Sequence, residues 1–215
     1  MGGKGTLWSY GDSWERFPIE PGVPWREKST GSVVQVQDLY EGLPGFLKQA
    51  DLIYTDPPWN TSNINSFYTK AGLTTRRTFG TFIEMLFDRF HQINPRVCYC
   101  EVGKQNLQVV ISKMKALYPA VQHWEVTYYR KHLSYLVRGG SEPTSVDFTG
   151  MDDDDTPLLA MQTEDFSCVA DTCMGRGLIG VTAHKLGKRF VGTELNKRRL
   201  AVLIDKIHKL GGQWA

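Results

Sequence analysis

Two short segments, each at the end of an apolar run, constrain the fold of this chain more than any other feature. Asp56-Pro57-Pro58-Trp59 follows the run 51–55, and the turn 171–177 follows the run 167–170. Alternation of such runs with segments of helical periodicity predicts a mostly parallel sheet with helices on both faces. Ligands bind at the carboxyl ends of the strands in an open sheet of this kind. The sequence therefore predicts a ligand site built from two strand ends.

The expected fold class is α/β, with a mostly parallel sheet and an antiparallel hairpin at one edge. We expect residues 1–215 to form a single domain, of which 1–31 are an irregular N-terminal arm. The polar segments 60–78 and 139–155 are expected to be loops, and long loops in compact domains are often functional. Strands are predicted at 33–36, 51–55, 96–102, 124–130, 134–138, 167–170 and 189–193, and helices at 79–92, 105–117, 158–162, 178–186 and 196–210.

Composition excludes some classes of protein and leaves others open. No apolar stretch approaches the ~20 residues of a membrane span, and the N-terminus has no apolar signal core, so we expect a cytoplasmic protein without a membrane partner. The four cysteines do not form metal-binding spacings, which favours buried, reduced thiols. The net charge of +2 does not by itself indicate a nucleic-acid binder, although basic residues cluster locally.

The glycine-containing turn after residue 170 is suited to a nucleotide-like cofactor. Gly175 and Gly177 let backbone N–H groups approach a ligand, and the helix that follows favours a carboxylate at its start. Glu194 ends the next strand about twenty residues later, where an acidic residue can accept hydrogen bonds from ribose hydroxyls. The alternatives are a purely structural turn and, for Glu194 and Asn196, a role in capping the last helix.

The Asp-Pro-Pro-Trp turn is the more specific signal. Its two prolines fix the turn and remove two N–H donors, so that carbonyls dominate the local surface. Asp56 and the Pro57 carbonyl can both accept hydrogen bonds from one exocyclic amino group, and Trp59 offers a face for stacking a base swung out of its helix. The alternative is a proline turn on the surface without a ligand.

These two motifs resemble those of the amino-directed DNA methyltransferases that use S-adenosylmethionine. Within that family the chain is similar to the adenine N6 enzymes of permuted, beta-type order, in which Asp-Pro-Pro-aromatic precedes the glycine-rich motif, and the fold implied is a Rossmann-like methyltransferase sheet. The matching segments are 33–60 and 157–210, with Asp171-Thr172-Cys173 in place of the usual Asp-Pro-Phe. The resemblance implies catalysis by Asp56, Pro57, Pro58 and Trp59.

The remaining site residues follow from the resemblance together with the composition of the segments around the two motifs. The expected cofactor-binding residues are Asp38, Asp56, Asp171, Cys173, Gly175, Gly177, Glu194 and Asn196. The expected substrate-binding residues in the segment 60–78 are Asn60, Lys70, Arg76 and Arg77, whereas the acidic run Asp152–Asp155 is expected to point away from a phosphate backbone or to move on binding.

Permutation makes a further demand on the sheet. The strand that normally comes third after the cofactor motif cannot follow Leu210, because the chain ends, so the N-terminal part must supply it. Val33–Val36 fits this position, and Asp38 at its tip is then expected to face the adenine of the cofactor.

The resemblance implies methyl transfer from S-adenosylmethionine to the N6 amino group of an adenine flipped out of double-stranded DNA, with no metal. Three alternatives stay open: an RNA adenine N6 enzyme, a DNA cytosine N4 enzyme, and a degenerate homologue that binds nucleic acid without catalysis. A glutamine-directed protein methyltransferase is disfavoured by both the motif and its order. We expect a monomer or homodimer in a prokaryotic or phage-infected cell, of the kind found in DNA modification and restriction-modification.

Overall fold

The computed structural model describes residues 10–215, and within this range eight strands form one sheet. The strands are β1 (Trp25–Arg26), β2 (Val33–Val36), β3 (Leu52–Thr55), β4 (Val97–Gly103), β5 (Ala120–Tyr128), β6 (His132–Gly140), β7 (Cys168–Asp171) and β8 (Arg189–Glu194). The helices are α1 (Ser13–Arg16), α2 (Thr61–Lys70), α3 (Phe79–Ile93), α4 (Leu107–Leu117), α5 (Thr156–Thr163), α6 (Leu178–Lys185) and α7 (Lys197–Lys209), with 3₁₀ turns at Gly45–Gln49 and Lys104–Asn106.

The strand order is β1-β2-β8-β7-β3-β4-β6-β5. The strands from β2 to β4 in this order are parallel, whereas β1 at one edge and the β5–β6 hairpin at the other are antiparallel. The predicted α/β sheet with an antiparallel hairpin at one edge is therefore confirmed. Strand β2 pairs with β8, from Val33 opposite Val191 to Val36 opposite Glu194, which confirms the N-terminal origin of that strand.

Helices cover both faces of the sheet, so its central strands are buried on both sides. All four residues of each of β2, β3 and β7 are buried, as expected for parallel strands between two helical layers. One apolar core includes residues of α2, α3 and α4, and the other includes residues of α5, α6 and α7. Within residues 10–215, no helix has both the length and the apolar character that crossing a membrane requires.

The segment 60–78, predicted to be a loop, contains helix α2. Asn60 begins the helix by accepting a hydrogen bond from the Asn63 backbone N–H at 2.8 Å. Ile64 and Tyr68, four residues apart, are both buried and hold the helix against the core. The prediction was wrong because the apolar face of this polar helix is only a few residues wide.

The segment 139–155 was also drawn too wide, because Gly139 and Gly140 belong to strand β6. A Cβ at Gly139 would lie 2.4 Å from the ring of Tyr118, so glycine is required there for close packing rather than for a turn. Residues 141–155 connect β6 to α5. Part of this segment runs along β5, where the Thr127 N–H donates to the Met151 carbonyl and the Asp153 N–H donates to the Thr127 carbonyl.

The described part of the N-terminal arm is more ordered than predicted, whereas residues 1–9 lie outside the described residues. Strand β1 pairs with β2, and helix α1 packs against α7 through a hydrogen bond from Ser13 Oγ to Asp205 at 3.0 Å. Ile19 is buried in the core. Edge pairing and side-chain anchoring therefore order a segment that has little periodicity of its own.

Candidate active site

A cavity of about 450 Å³ opens at the carboxyl edge of the sheet, where β3 and β7 lie side by side. From β3 the chain continues to β4 on one side, and from β7 it continues to β8 on the other side, so these parallel neighbours form the topological switch point of the sheet. Open α/β sheets bind ligands at this position. The ends of β2, β4 and β8, helices α2, α3, α6 and α7, the end of the β5–β6 hairpin and the acidic run also contribute to its wall. The predicted residues that line it are Asp38, Asp56, Pro57, Pro58, Trp59, Asp171, Cys173, Gly175 and Glu194.

Asp56 follows the last residue of β3, and its side chain is exposed to solvent within the cavity. Its Oδ1 accepts a hydrogen bond from the indole Nε1 of Trp59 at 2.9 Å. Desolvation raises the pKa of Asp56 to about 7, with a further increase from the charge of Asp153, whereas the Trp59 bond and Arg199 act in the opposite direction. Asp56 is therefore poised to change its protonation state near neutral pH.

Trp59 belongs to an aromatic series that leads from the cavity to the surface. Its ring lies 4.8 Å from that of Tyr128, and the Tyr128 ring lies 4.3 Å from that of Tyr129. Tyr129, at the hairpin tip, is 63% exposed. Its φ is 51° and that of Arg130 is 55°, so both residues have left-handed backbone. Left-handed backbone at two successive non-glycine residues is unfavourable, and such strain is concentrated at functional sites.

Asp171, at the tip of β7, is buried and held by its neighbours. Its Oδ1 accepts hydrogen bonds from Thr55 Oγ1 and from the backbone N–H of Cys173, both at 2.9 Å. Burial raises its pKa to about 7, and the charges of Asp56 and Glu194 act in the same direction. The Oγ1 atom of the next residue, Thr172, is buried and has no hydrogen-bond partner within residues 10–215.

The glycine turn does not present its N–H groups to the cavity in the predicted way. The Gly175 N–H donates to Glu194 Oε2 at 2.7 Å, and the Gly177 N–H donates to the Met174 carbonyl at 2.8 Å. Gly177, which does not line the cavity, has a φ of 77°, and a Cβ there would lie 2.3 Å from Leu203. The glycines serve the packing of the turn against α7, because only glycine fits so close to that helix.

Glu194 and Asn196 have separate roles. The Oε1 atom of Glu194 accepts from the Asn196 N–H at 2.9 Å, so each carboxylate oxygen carries one backbone bond and keeps a lone pair. Burial raises the pKa of Glu194, while Arg199 and the backbone N–H groups oppose the increase. Asn196 does not line the cavity: it caps α7 through Arg198 N, and its amide donates to the Lys70 carbonyl. The capping interpretation is therefore correct for Asn196.

Asp38 anchors helix α2 to the tip of β2. The hydroxyl of Tyr68 donates to both carboxylate oxygens of Asp38, at 3.0 and 2.9 Å. Arg77 lies on the same junction, with its guanidinium 4.0 Å from the ring centre of Tyr40. The Arg77 side chain therefore packs on the Tyr40 ring and does not line the cavity, and contact of Arg77 with a substrate stays a prediction.

The other predicted substrate-binding residues lie outside the cavity. Asn60 caps α2, the Lys70 ammonium lies 5.5 Å from the Phe67 ring, and Arg76 donates to the carbonyls of Thr74 and Thr75. Lys70 and Arg76 are both exposed. The Lys70 ammonium lies against an aromatic ring, whereas among residues 10–215 the Arg76 guanidinium is held only by carbonyls of its own segment.

The acidic run does not point away as expected. Asp152 and Asp153 are buried, and Asp153 and Asp154 line the cavity. The Oδ2 of Asp152 accepts from the Arg130 N–H at 2.6 Å, and the Oδ1 of Asp153 accepts from the Tyr129 N–H at 2.9 Å. These carboxylates hold the strained hairpin tip in place. Desolvation raises the pKa of Asp153 to about 6, and neighbouring carboxylates add to the effect.

Glu101 and Arg199 are among the cavity residues that sequence reasoning missed. Glu101 on β4 is buried at 2% exposure beside the Asp-Pro-Pro-Trp turn, and Arg199 on α7 extends to the cavity with its guanidinium 4.7 Å from the ring centre of Phe67. Glu101 stands in an apolar strand, where a lone carboxylate is the one available signal. Arg199 stands in a basic cluster that is typical of a solvated helix face.

The fold is similar to those of solved DNA methyltransferase structures. M1.HpyAVI aligns at 13% identity over 81% of this chain and 97% of that protein, with a TM-score of 0.55. TTHA0409 from Thermus thermophilus, assigned as a DNA modification methylase and solved with S-adenosyl-L-methionine, aligns at 15% identity over 82% and 93%, with a TM-score of 0.56. The chain shares their fold.

A third neighbour carries a base specificity in its name. The PvuII DNA methyltransferase, cytosine-N4-specific, aligns at 11% identity over 90% of this chain and 98% of that protein, with a TM-score of 0.50. No family model matches the sequence, and no curated protein matches it significantly. The fold is thus a Rossmann-like α/β fold found in DNA methyltransferases.

Proposed function

We propose that this protein transfers a methyl group from S-adenosylmethionine to the N6 amino group of adenine in DNA. The observation that carries the proposal is Asp56 in the cavity, next to the carbonyl-rich Pro57-Pro58 turn and fixed by the Trp59 indole. An acceptor pair beside an aromatic ring is the arrangement that a flipped amino-bearing base requires. The fold of the neighbouring structures is consistent with this chemistry.

Asp56 has two functions in this proposal. As a carboxylate it accepts a hydrogen bond from the amino group, which orients the nitrogen lone pair toward the methyl donor. The nitrogen must lose a proton when it gains a methyl group, and a carboxyl with a pKa of about 7 is suited to accept that proton near neutral pH. Trp59 and Tyr128 provide aromatic surface for the ring of the base.

The part of the cavity around the turn after β7 and the tips of β2 and β8, here called the cofactor half, fits S-adenosylmethionine. Thr172 Oγ1 is a buried polar atom that a ligand would satisfy, and it lies next to Asp171, which suits the amino group of the methionyl part. Glu194 keeps lone pairs that can accept hydrogen bonds from the ribose hydroxyls. Asp38, at the tip of β2, and its apolar neighbour Leu39 line the part of the cavity that would receive the adenine of the cofactor. When bound, this cofactor supplies an electrophilic methyl group that needs no metal.

Asp56 favours adenine over cytosine as the target, because enzymes of the resembling family that act on cytosine N4 more often carry Ser at this motif position. Because one structural neighbour is cytosine-N4-specific, cytosine is the second candidate target and is tested in the same experiment. RNA provides the third arm, since the proposed base contacts do not involve the sugar.

The experiment incubates the full chain with labelled S-adenosylmethionine and unmethylated DNA, or RNA of the same sequence, and digests the product to nucleosides. We expect label in N6-methyladenine from DNA. Label in N4-methylcytosine or in RNA would reassign the substrate while preserving the reaction. Cofactor binding without methylation of any base would indicate a degenerate homologue, and the Asp56→Asn variant provides the background measurement.

A further inference from the structure

Glu101 lies on the strand next to the one that Asp56 follows. Strands β3 and β4 pair in parallel from Leu52 opposite Val97 to Thr55 opposite Cys100, and the next residues are Asp56, just past the end of β3, and Glu101 on β4, whose charges interact. Adjacent strands lie about 4.8 Å apart, and residues in register share a face of the sheet. The stacked rings of Tyr54 and Tyr99, 5.7 Å apart, occupy the same face two residues earlier.

The two oxygens of Glu101 have different surroundings. Oε1 accepts a hydrogen bond from the Tyr54 hydroxyl at 2.7 Å, and that hydroxyl also lies 2.7 Å from Thr156 Oγ1. Oε2 is buried and has no hydrogen-bond partner within the described residues 10–215. Buried polar atoms are rarely left unpaired, because an unmade hydrogen bond leaves the cost of desolvating the atom uncompensated. Glu101 is also a cavity residue, so a ligand is the available partner for Oε2.

Glu101 is surrounded by negative groups. Burial and the charges of Asp56, Asp153 and Asp171 raise its pKa well above the ordinary range, and the hydrogen bond from Tyr54 opposes this only in part. The neutral acid form of Glu101 is therefore favoured relative to that of an exposed glutamate. In that acid form, with Oε1 accepting from Tyr54, Oε2 carries the proton and acts as a hydrogen-bond donor.

An ionised Asp56 next to a neutral Glu101 forms an acceptor beside a donor. Adenine carries the complementary pair, an amino donor next to the ring nitrogen N1, and cytosine carries it at N4 and N3. Guanine and thymine present the opposite pair, a carbonyl oxygen next to a ring N–H. The pair of carboxyl groups therefore matches the Watson–Crick edge of an amino-bearing base and opposes that of a keto base.

We propose that Glu101 reads the target base, donating a hydrogen bond from Oε2 to the ring nitrogen next to the amino group that Asp56 accepts. This inference rests on the proposed function and adds to it a residue that selects the base. It also explains why a buried carboxyl remains in the sheet at a position where an apolar residue would pack without an unpaired atom.

The test compares two substrates that differ in one ring atom. One oligonucleotide carries adenine at the methylated position, and the other carries 1-deazaadenine, which keeps the amino group but has C–H in place of N1. We expect kcat/KM of the parent enzyme to favour adenine by about 10- to 100-fold, since a site built around a hydrogen bond rejects an analogue that lacks it. If the digest identifies cytosine as the target, cytosine and 3-deazacytosine replace this pair.

Two variants separate base reading from folding. Glu101→Gln keeps an acceptor for Tyr54 and an N–H donor in place of the acid, so we expect it to retain the preference for adenine. Glu101→Met has similar length and no donor, so we expect its preference to fall at least tenfold relative to the parent. Thermal unfolding and S-adenosylmethionine binding of both variants check the fold and the cofactor half.

The inference is overturned if Glu101→Met slows both substrates equally, because that result indicates positioning of Asp56 or packing rather than contact with the ring nitrogen. It is also overturned if Glu101→Gln loses the preference while Glu101→Met keeps it. These outcomes differ from failure of the proposed function, in which the parent protein methylates neither substrate.

Discussion

The two halves of the cavity treat their carboxyl groups in opposite ways. In the half around the turn after β7, Asp171 and Glu194 each accept two hydrogen bonds from the protein, three of the four from backbone N–H groups. In the half around the turn after β3, Asp56 has one bond from Trp59, and Glu101 has an oxygen without a partner among residues 10–215. The first half is organised before a ligand arrives, whereas the second keeps hydrogen-bonding capacity for one.

This contrast assigns different tasks to the two halves. Carboxylates held by backbone groups are rigid acceptors, which suits recognition of a cofactor. Carboxyls that the protein leaves with open hydrogen-bonding capacity suit a reaction in which a proton must be held and released. The following predictions test the contrast, from the largest expected effect to the smallest.

Removing the Asp56 carboxylate should have the largest effect. We expect Asp56→Ala and Asp56→Asn to lower the rate of methyl transfer by ~100-fold or more, because a charge-assisted hydrogen bond at the reacting atom is lost. Asp56→Asn keeps an acceptor for the Trp59 indole and so controls for local structure. S-adenosylmethionine binding, measured by calorimetry, should change little in either variant. Near-parent turnover in Asp56→Asn would break the assignment of this half to chemistry.

Glu194 tests the organised half. We expect Glu194→Ala to weaken S-adenosylmethionine binding by about 10-fold or more, since hydrogen bonds to a charged group are worth roughly 1.5–3 kcal/mol each. The variant also leaves the N–H groups of Gly175 and Asn196 without their acceptor, so its stability should fall.

Asn196→Ala is the matched control for Glu194. It removes the cap of α7, which costs about 1 kcal/mol of stability, without removing a residue that lines the cavity. Calorimetry and thermal unfolding on the two variants separate binding from folding. Equal loss of affinity in both would mean that Glu194 acts only through the conformation of the turn.

The charge of Asp153 should set the pH dependence. Methyl transfer requires ionised Asp56, so kcat/KM should rise with pH through about 7. The Asp153 charge raises that pKa, so Asp153→Asn should lower it and move the acid limb to lower pH. We expect the ratio of the rate at pH 6 to the rate at pH 8 to increase roughly two- to threefold, the modest effect of one nearby charge.

Asp153→Asn keeps an oxygen that can accept from the Tyr129 N–H, so the hairpin tip should survive. Asp155→Asn provides the control within the same acidic run, because Asp155 is exposed and lies outside the cavity lining. An acid limb that stays in place in Asp153→Asn, or moves equally in Asp155→Asn, would show that Asp153 does not act on Asp56.

The sequence was most informative where local chemistry decides the structure. Two prolines after an apolar run end β3 at Thr55, and a glycine turn ends β7, so both strand tips were predicted to within one residue. The place of Val33–Val36 beside β8 followed from the motif order and is confirmed. Glu101 was not predicted as a site residue, because Asp56 is forty-five residues away in the sequence and only the pairing of β3 with β4 brings the two strand ends together.

Charge was the least reliable guide, because it does not distinguish a solvated cation from a packed one. Arg77 was expected on the substrate and lies on the Tyr40 ring, whereas Arg199 looked solvated and extends to the cavity. Likewise, the aspartates expected to avoid the substrate hold the hairpin tip by accepting backbone N–H groups. Tertiary contacts decide these roles, and they have no local sequence signal.

The smallest effect is expected at the rim, outside both halves of the cavity. Arg76 is an exposed cation of the 60–78 segment, so we expect Arg76→Glu to weaken DNA binding modestly and to reduce the slope of log affinity against log salt by about 1. Lys115→Glu makes the same change of charge in the last turn of α4, which runs back from the cavity edge toward the opposite edge of the sheet. Fluorescence anisotropy across a salt series compares the two variants. A steeper loss in Arg76→Glu than in Lys115→Glu places the nucleic-acid backbone near α2, whereas equal losses would reflect net charge alone and remove Arg76 from the substrate surface.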